Sequence, residues 1–168
     1  ALLGEVIREQ VGEPLFASVE RARAGAIESV RVENSQLHYN VIGNIKARGL
    51  CGSGLVDLVA VLLHYGVIDT EGLLGPDRIS EEGDLFLSRV IPGDDSPAFG
   101  FMVAAPFQSF DKKPIMLTQK DIRELQLAKA AVAAGVQVLM GQMGITVEDI
   151  DTVYLTGALG NYVNPYSA

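Results

Sequence analysis

The stretch Gly157-Ala158-Leu159-Gly160-Asn161 directly follows a β-rich run, and it is the first place where chemistry can be read from this sequence. In open α/β sheets, ligands bind beyond the carboxyl ends of strands, where glycines let backbone amides approach a nucleotide. A tight strand-to-helix turn without a ligand would use the same glycines. The full dinucleotide fingerprint is missing, so a Rossmann site is not supported. A second turn, Gly52-Ser53-Gly54, opens a helix. Free amides and the helix dipole favour an anion there. The competing reading is Ser53 as an N-cap between glycines needed for close packing. No Gly-Lys-Ser/Thr follows at the right spacing, so this is not a P-loop. The third candidate is a polar helix face carrying Lys120, Asp121, Arg123, Glu124, Gln126 and Lys129. Such rows of donors and acceptors can hold a ribose or an adenine edge. They also describe a solvated face with ion pairs three or four residues apart.

The remaining reactive residue types point to structure. Cys51 is the only cysteine, and no histidine lies near it in sequence to activate it. It reads as a small buried apolar residue. A single thiol excludes a disulfide framework, a structural zinc site or an iron–sulfur cluster built from this chain alone. His38 falls in a predicted strand and His64 near a helix end. Asp94, Asp95 and Asp111 fall in loops, where solvated acids are the rule. The net charge of −8 lacks the basic footprint needed for nucleic acid or an anionic membrane. No apolar run is long enough to span a bilayer, and no signal segment opens the chain.

These residues need a framework, and the composition supplies one. The chain has 168 residues, 48% hydrophobic and 20% charged. That suits a single soluble domain with its own core. Residues 2–11 predict a short helix stopped by Gly12 and Pro14, and 15–25 a loop or short helix. Alternating hydrophobicity in 26–32 and 37–43, around the polar turn 33–36, predicts an antiparallel hairpin. The apolar run 55–65 after the Gly-rich turn predicts a largely buried helix, with Gly66 as its stop. Residues 70–97 predict an irregular excursion, with short strands at 85–91, 98–104 and 114–117. Thr118 and Asp121 form a capping-box pair at the start of a long helix. Ile122, Leu125, Val132, Val136, Leu139 and Met143 give that helix one apolar face, and Gly144 ends it. A polar turn at 147–151 leads to a predicted strand at 152–156. Helix, strand and Gly-rich turn in succession are an α/β signature. The first residue is Ala, and the chain ends just after a turn-like Asn-Pro, which predicts a piece of a longer protein.

Three segments in this order carry a resemblance. They are Arg48–Asp57 (RGLCGSGLVD), Leu117–Lys129 (LTQKDIRELQLAK) and Asp149–Pro165 (DIDTVYLTGALGNYVNP). Together they resemble the C-terminal ATPase domain of the reductive activators of corrinoid proteins, a branch of the ASKHA superfamily of acetate and sugar kinases, chaperone ATPases and actin. A weaker segment, Arg21–Val32, is similar to the stretch leading into the same hairpin. The resemblance runs over roughly residues 15–168. It implies an α/β fold: a ribonuclease-H-like, actin-like lobe of a two-lobed ASKHA domain, with a mixed sheet and packed helices. The chain would be one domain, 1–168, with 70–113 as its variable insertion.

The resemblance further implies ATP and Mg2+ as cofactors, with Gly157, Ala158, Gly160 and Asn161 lining base and ribose. Glu124, Gln126 and Lys129 are candidates by their helix position, and Gly52, Ser53 and Gly54 would lie near the cleft. It implies a parent protein with an N-terminal 2Fe-2S domain and a first ATPase lobe, both outside this chain. Such a protein delivers electrons to an inactive Co(II) corrinoid protein of methyl transfer. A homodimer and a cytoplasmic location are implied as well. Phosphoryl chemistry needs charge stabilisation on the phosphates, yet no Asp-x-Gly-Ser/Thr occurs in the chain. The family's glycine-bearing segment after its first phosphate loop survives only as GEPLFAS at 12–18. An isolated chain is therefore expected to be inactive. Two other readings stay open: a non-catalytic dimerisation or interaction module, and a piece of an acetate- or sugar-kinase-like enzyme.

Overall fold

The alternating pattern of residues 26–43 folds as a hairpin. β1 (Ala26–Glu33) and β2 (Gln36–Val41) pair antiparallel, with Val30 opposite Tyr39 and Glu33 opposite Gln36. Asn34 and Ser35 both take positive φ, 50° and 60°, the type I′ pattern whose twist suits flanking strands. A computed structural model describes residues 23–79, 81–93, 98–155 and 163–167. The predicted helix 2–11, most of 15–25, and Asp94 and Asp95 lie outside the described residues.

The other edge of β1 is closed in an unusual way. β3 (Gly49–Leu50) runs parallel to it and reaches only Ala26 and Ile27. Beyond that point helix α1 (Gly52–His64) takes over. The Cys51 amide donates to Ile27 O at 3.1 Å. The Ser53 hydroxyl donates to Glu28 O at 2.8 Å, and the Val30 amide donates to Asp57 Oδ2 at 3.3 Å. Positions 53 and 57 stack on one helix face, so two side chains stand in for a neighbouring strand. A Cβ on Gly54 would overlap Ile27 O. Ser53 is thus not the N-cap. That position is Cys51, which makes no side-chain capping bond.

The excursion after α1 is irregular as expected, but its strand content is not. Among its described residues β4 (Val90–Pro92) is the one strand, and Glu81–Arg89 is 3-10 helical. The predicted strand 85–91 is corrected accordingly. Phe86 is the residue that must reach inward, while Leu85 and Leu87 stay exposed. Its ring meets Tyr65 at 5.5 Å and Phe101 at 6.1 Å, both edge-on, a favoured aromatic geometry. β5 (Phe99–Ala104) and β6 (Ile115–Thr118) match the predicted strands. They form an antiparallel sheet in the order β4-β5-β6. One core joins both sheets and α1, from Ile27 and Val30 through Leu58, Leu62 and Phe86 to Phe101, Leu117 and Ile122.

Helix α2 (Gln119–Met143) begins with the predicted capping box, Thr118 with Asp121, and ends at Gly144 in the left-handed region. Its apolar face is mostly exposed. Ile122 is its one buried residue, while Val132 is 69% exposed and Val136, Leu139 and Met143 are exposed too. A 3-10 turn, Val147–Asp149, follows. The capping bonds of Thr146 to Asp149 hold that carboxyl below its ordinary range. The predicted strand 152–156 is corrected for its described part. Residues 152–155 pair with no strand, and Tyr154 is 81% exposed. Strand propensity reflects fit to a neighbouring edge, and among the described residues none receives this run. No helix among them is long and apolar enough to cross a membrane.

The α1–β1 seam yields a first prediction. Gly54→Ala forces the helix off the strand and lowers stability by about 1–3 kcal/mol, the usual range for overpacking. Chemical denaturation measures it, and an unchanged midpoint contradicts the seam.

Candidate functional site

The candidate residues divide between two helix starts. At α1, Gly52 is exposed while Ser53 and Gly54 are buried against β1. The Ser53 hydroxyl lies 3.2 Å from Cys51 Sγ besides its bond to Glu28 O. The part of this turn open to a ligand is therefore Gly52. Behind it sits a residue that sequence reasoning missed. Asp57 is 4% exposed, and its Oδ1 has no partner among the described residues. A lone acid four residues after a serine, inside an apolar helix, was the available signal.

At α2, the polar face of the first two turns is largely engaged in holding a loop. Residues 69–74 form a tight turn in which Asp69 Oδ1 accepts from the Glu71 and Leu73 amides at 3.0 and 2.8 Å. Gln119 grips this turn from both sides, donating to Gly72 O at 2.6 Å and accepting from the Leu74 amide at 3.0 Å. Gln126 and Arg123 both donate to Glu71 O, at 3.1 and 3.3 Å, and Arg123 also donates to Gln126 Oε1 at 2.8 Å. Gly72 has φ +79°, a conformation that L side chains rarely adopt, and a Cβ there would push the Gln126 amide aside. Glu124 is exposed. Lys129 and Gln126 line a groove of about 150 Å3 with Val59, Leu63, Ile68 and Leu125.

A larger cavity, about 370 Å3, was not foreseen. It lies over β4, β5 and β6 at the start of α2, lined by Ile91, Phe99, Met116, Thr118 and Lys120 among others. Its volume is within the range of small-molecule pockets. Apolar side chains at alternating strand positions next to a helix start were the only sequence trace of it.

Gly157, Ala158, Gly160 and Asn161 lie outside the described residues. The structure therefore brings Gln126 and Lys129 together in one groove and sets Gly52, Ser53 and Gly54 apart from them on α1. His38 lies in β2. His64 ends α1, its ring 5.0 Å from that of Tyr65. Among the described residues, no group of three His, Cys, Asp or Glu could hold a metal.

Residues 17–168 match a family described as the C-terminal domain of RACo, the ASKHA domain. The corrinoid activation enzyme RamQ of Eubacterium limosum is 34% identical over 149 residues, covering 88% of this chain and 25% of that protein. Among solved structures, a reductive activator for corrinoid, iron-sulfur protein superposes with a TM-score of 0.71 at 34% identity. That match covers 84% of this chain and 21% of the other. The chain thus spans about a quarter of the length of the curated relative it matches.

The grip on the 69–74 turn is testable. Gln119→Ala removes two hydrogen bonds and strands the amide of Leu74, which is buried. Stability is expected to fall by about 1–3 kcal/mol, as for an unsatisfied buried donor. Amide exchange at Leu74 should accelerate, and unchanged protection there contradicts the role.

Proposed function

The chain belongs to the family of C-terminal ASKHA domains, and from that membership we propose that it is the nucleotide-binding part of an ATP-dependent reductive activator of a corrinoid protein. The observation that carries the reading is the match over residues 17–168 to a domain whose relatives are named as corrinoid activators. In this reading Gly157, Ala158, Gly160 and Asn161 bring backbone amides to the base and ribose of ATP. Lys129 and Glu124, exposed at the first turns of α2, supply a cation and a carboxylate for the nucleoside. Gln126 holds the 69–74 turn that borders them. Gly52 offers its amide at the start of α1, while Ser53 and Gly54 keep that start seated on β1. Residues 1–168 would act as one unit, with 70–113 as the variable part.

Among the described residues no group of three His, Cys, Asp or Glu is gathered. Charge stabilisation on the phosphates, which phosphoryl chemistry requires, would come from the first lobe of the parent protein. A 2Fe-2S cluster needs four ligands. With Cys51 as the only cysteine, the cluster would also reside elsewhere in the parent. Bound ATP and Mg2+ would supply the free energy that makes an uphill electron transfer to Co(II) feasible.

A second reading, a dimerisation module, rests on one observation. The second half of α2 presents Val132, Val136, Leu139 and Met143 to solvent on one face. Exposed apolar faces of that kind mark interaction surfaces. The two readings are compatible in a homodimeric activator.

Titration calorimetry of the full-length protein with MgATP tests the nucleotide reading. Gly160→Val should weaken binding at least tenfold by blocking backbone approach, and Glu124→Ala should weaken it by a smaller factor. Wild-type affinity in Gly160→Val, or no binding by the wild type, overturns the assignment.

A further inference from the structure

The chain is acidic overall, yet one region of its surface is basic and aromatic. Residues 42–48 and 105–114 are two loops distant in sequence that are joined side by side. The Ala47 amide donates to Gln108 O at 3.3 Å, and the Phe110 amide donates to Ala47 O at 2.8 Å. The Arg48 guanidinium lies 4.1 Å from the centre of the Phe110 ring, a cation–π distance. Around this junction Lys46, Arg48, Lys112 and Lys113 are all exposed. They are four of the 13 basic residues in a chain of net charge −8, and the two loops contain one acid, Asp111. Asp111 Oδ1 faces the Ser109 hydroxyl at 3.4 Å and accepts from the Lys113 amide at 3.2 Å. It braces the loop.

Two phenylalanines complete the patch. Phe107 is 75% exposed and Phe110 is 60% exposed, and Ile45 on the facing loop is exposed too. The loop that carries the rings is held firmly. Gln108 Oε1 accepts from the Ala105 amide at 2.9 Å, the Gln108 amide donates to Ala105 O at 2.9 Å, and the buried Ser109 hydroxyl donates to Pro106 O at 3.1 Å. Lys112 and Asn44 both hold positive φ, 59° and 51°, a conformation that glycine adopts freely and lysine does not. Rigid presentation lowers the ordering cost of association. Aromatic and arginine anchors surrounded by charge are the make-up of interface hot spots.

We propose that loops 42–48 and 105–114 form a docking face for a partner protein, one whose surface has an apolar centre ringed by carboxylates. Phe107, Phe110 and Ile45 would bury against the centre. Lys46, Arg48, Lys112 and Lys113 would meet the rim and speed encounter through complementary charge. The identity of the partner, the corrinoid protein being reactivated, rests on the function proposed above.

Calorimetry of the full-length protein with its purified Co(II) corrinoid protein tests this at low and moderate salt. Lys112→Glu with Lys113→Glu should weaken binding at least tenfold and flatten its salt dependence. Phe107→Ala should weaken it severalfold at both salt concentrations. All three side chains are exposed, so thermal unfolding and MgATP affinity should stay at wild-type values. Wild-type binding that these variants leave within twofold overturns the docking face while leaving the function standing. No binding by the wild type overturns both. Acetylation of Lys112 and Lys113 in the free full-length protein separates the remaining case. If both are already protected there, the face is covered from within and the proposal fails.

Discussion

The structure depends on how α1 is seated on the open edge of β1. A β-strand edge carries amides and carbonyls that must be paired once buried, and β3 is too short to pair them beyond Ile27. The helix supplies what the strand lacks. Gly54 lets the two backbones approach, Ser53 donates to Glu28 O, and Asp57 accepts from the Val30 amide. Leu58 and Leu62 then fall on the buried side and enter the core with Ile27 and Val30. From there the Tyr65, Phe86 and Phe101 rings carry the packing to the second sheet. A carboxyl buried with one oxygen unpartnered among the described residues is a costly feature. Its presence at Asp57 marks how firmly this seam is specified.

The start of α2 is positioned by the same logic at another place. Thr118 and Asp121 cap the helix, Ile122 anchors it in the core, and Gln119, Arg123 and Gln126 clamp the 69–74 turn to its flank. Fixing the first two turns sets where Glu124 and Lys129 stand. The rest of the helix runs on without burial. Two kinds of surface result, a small groove beside an ordered helix start and a long apolar helix face.

Much of this was legible in the sequence where the cause is local. The hairpin followed from alternation, and the limits of α2 followed from Thr118, Asp121 and Gly144. The β5 and β6 strands followed from short β-rich runs. What failed depended on distant partners. Ser53 looked like a cap because caps are read from neighbours, whereas its acceptor, Glu28 O, lies 25 residues away. Residues 85–89 looked extended but coil so that Phe86 can reach two rings. Residues 152–155 have strand composition but no described edge to join. Asp57, Gln119 and the paired loops 42–48 and 105–114 act through contacts that no periodicity encodes.

The function proposed for the full-length protein is the coupling of nucleotide to the reduction of a corrinoid protein. The most direct measurement follows the absorbance of the cobalt centre in its Co(II) corrinoid protein, mixed with the reduced full-length protein, with and without MgATP. Co(I) is expected to accumulate only when MgATP is present. Equal accumulation without nucleotide, or none with it, would rule out that coupling.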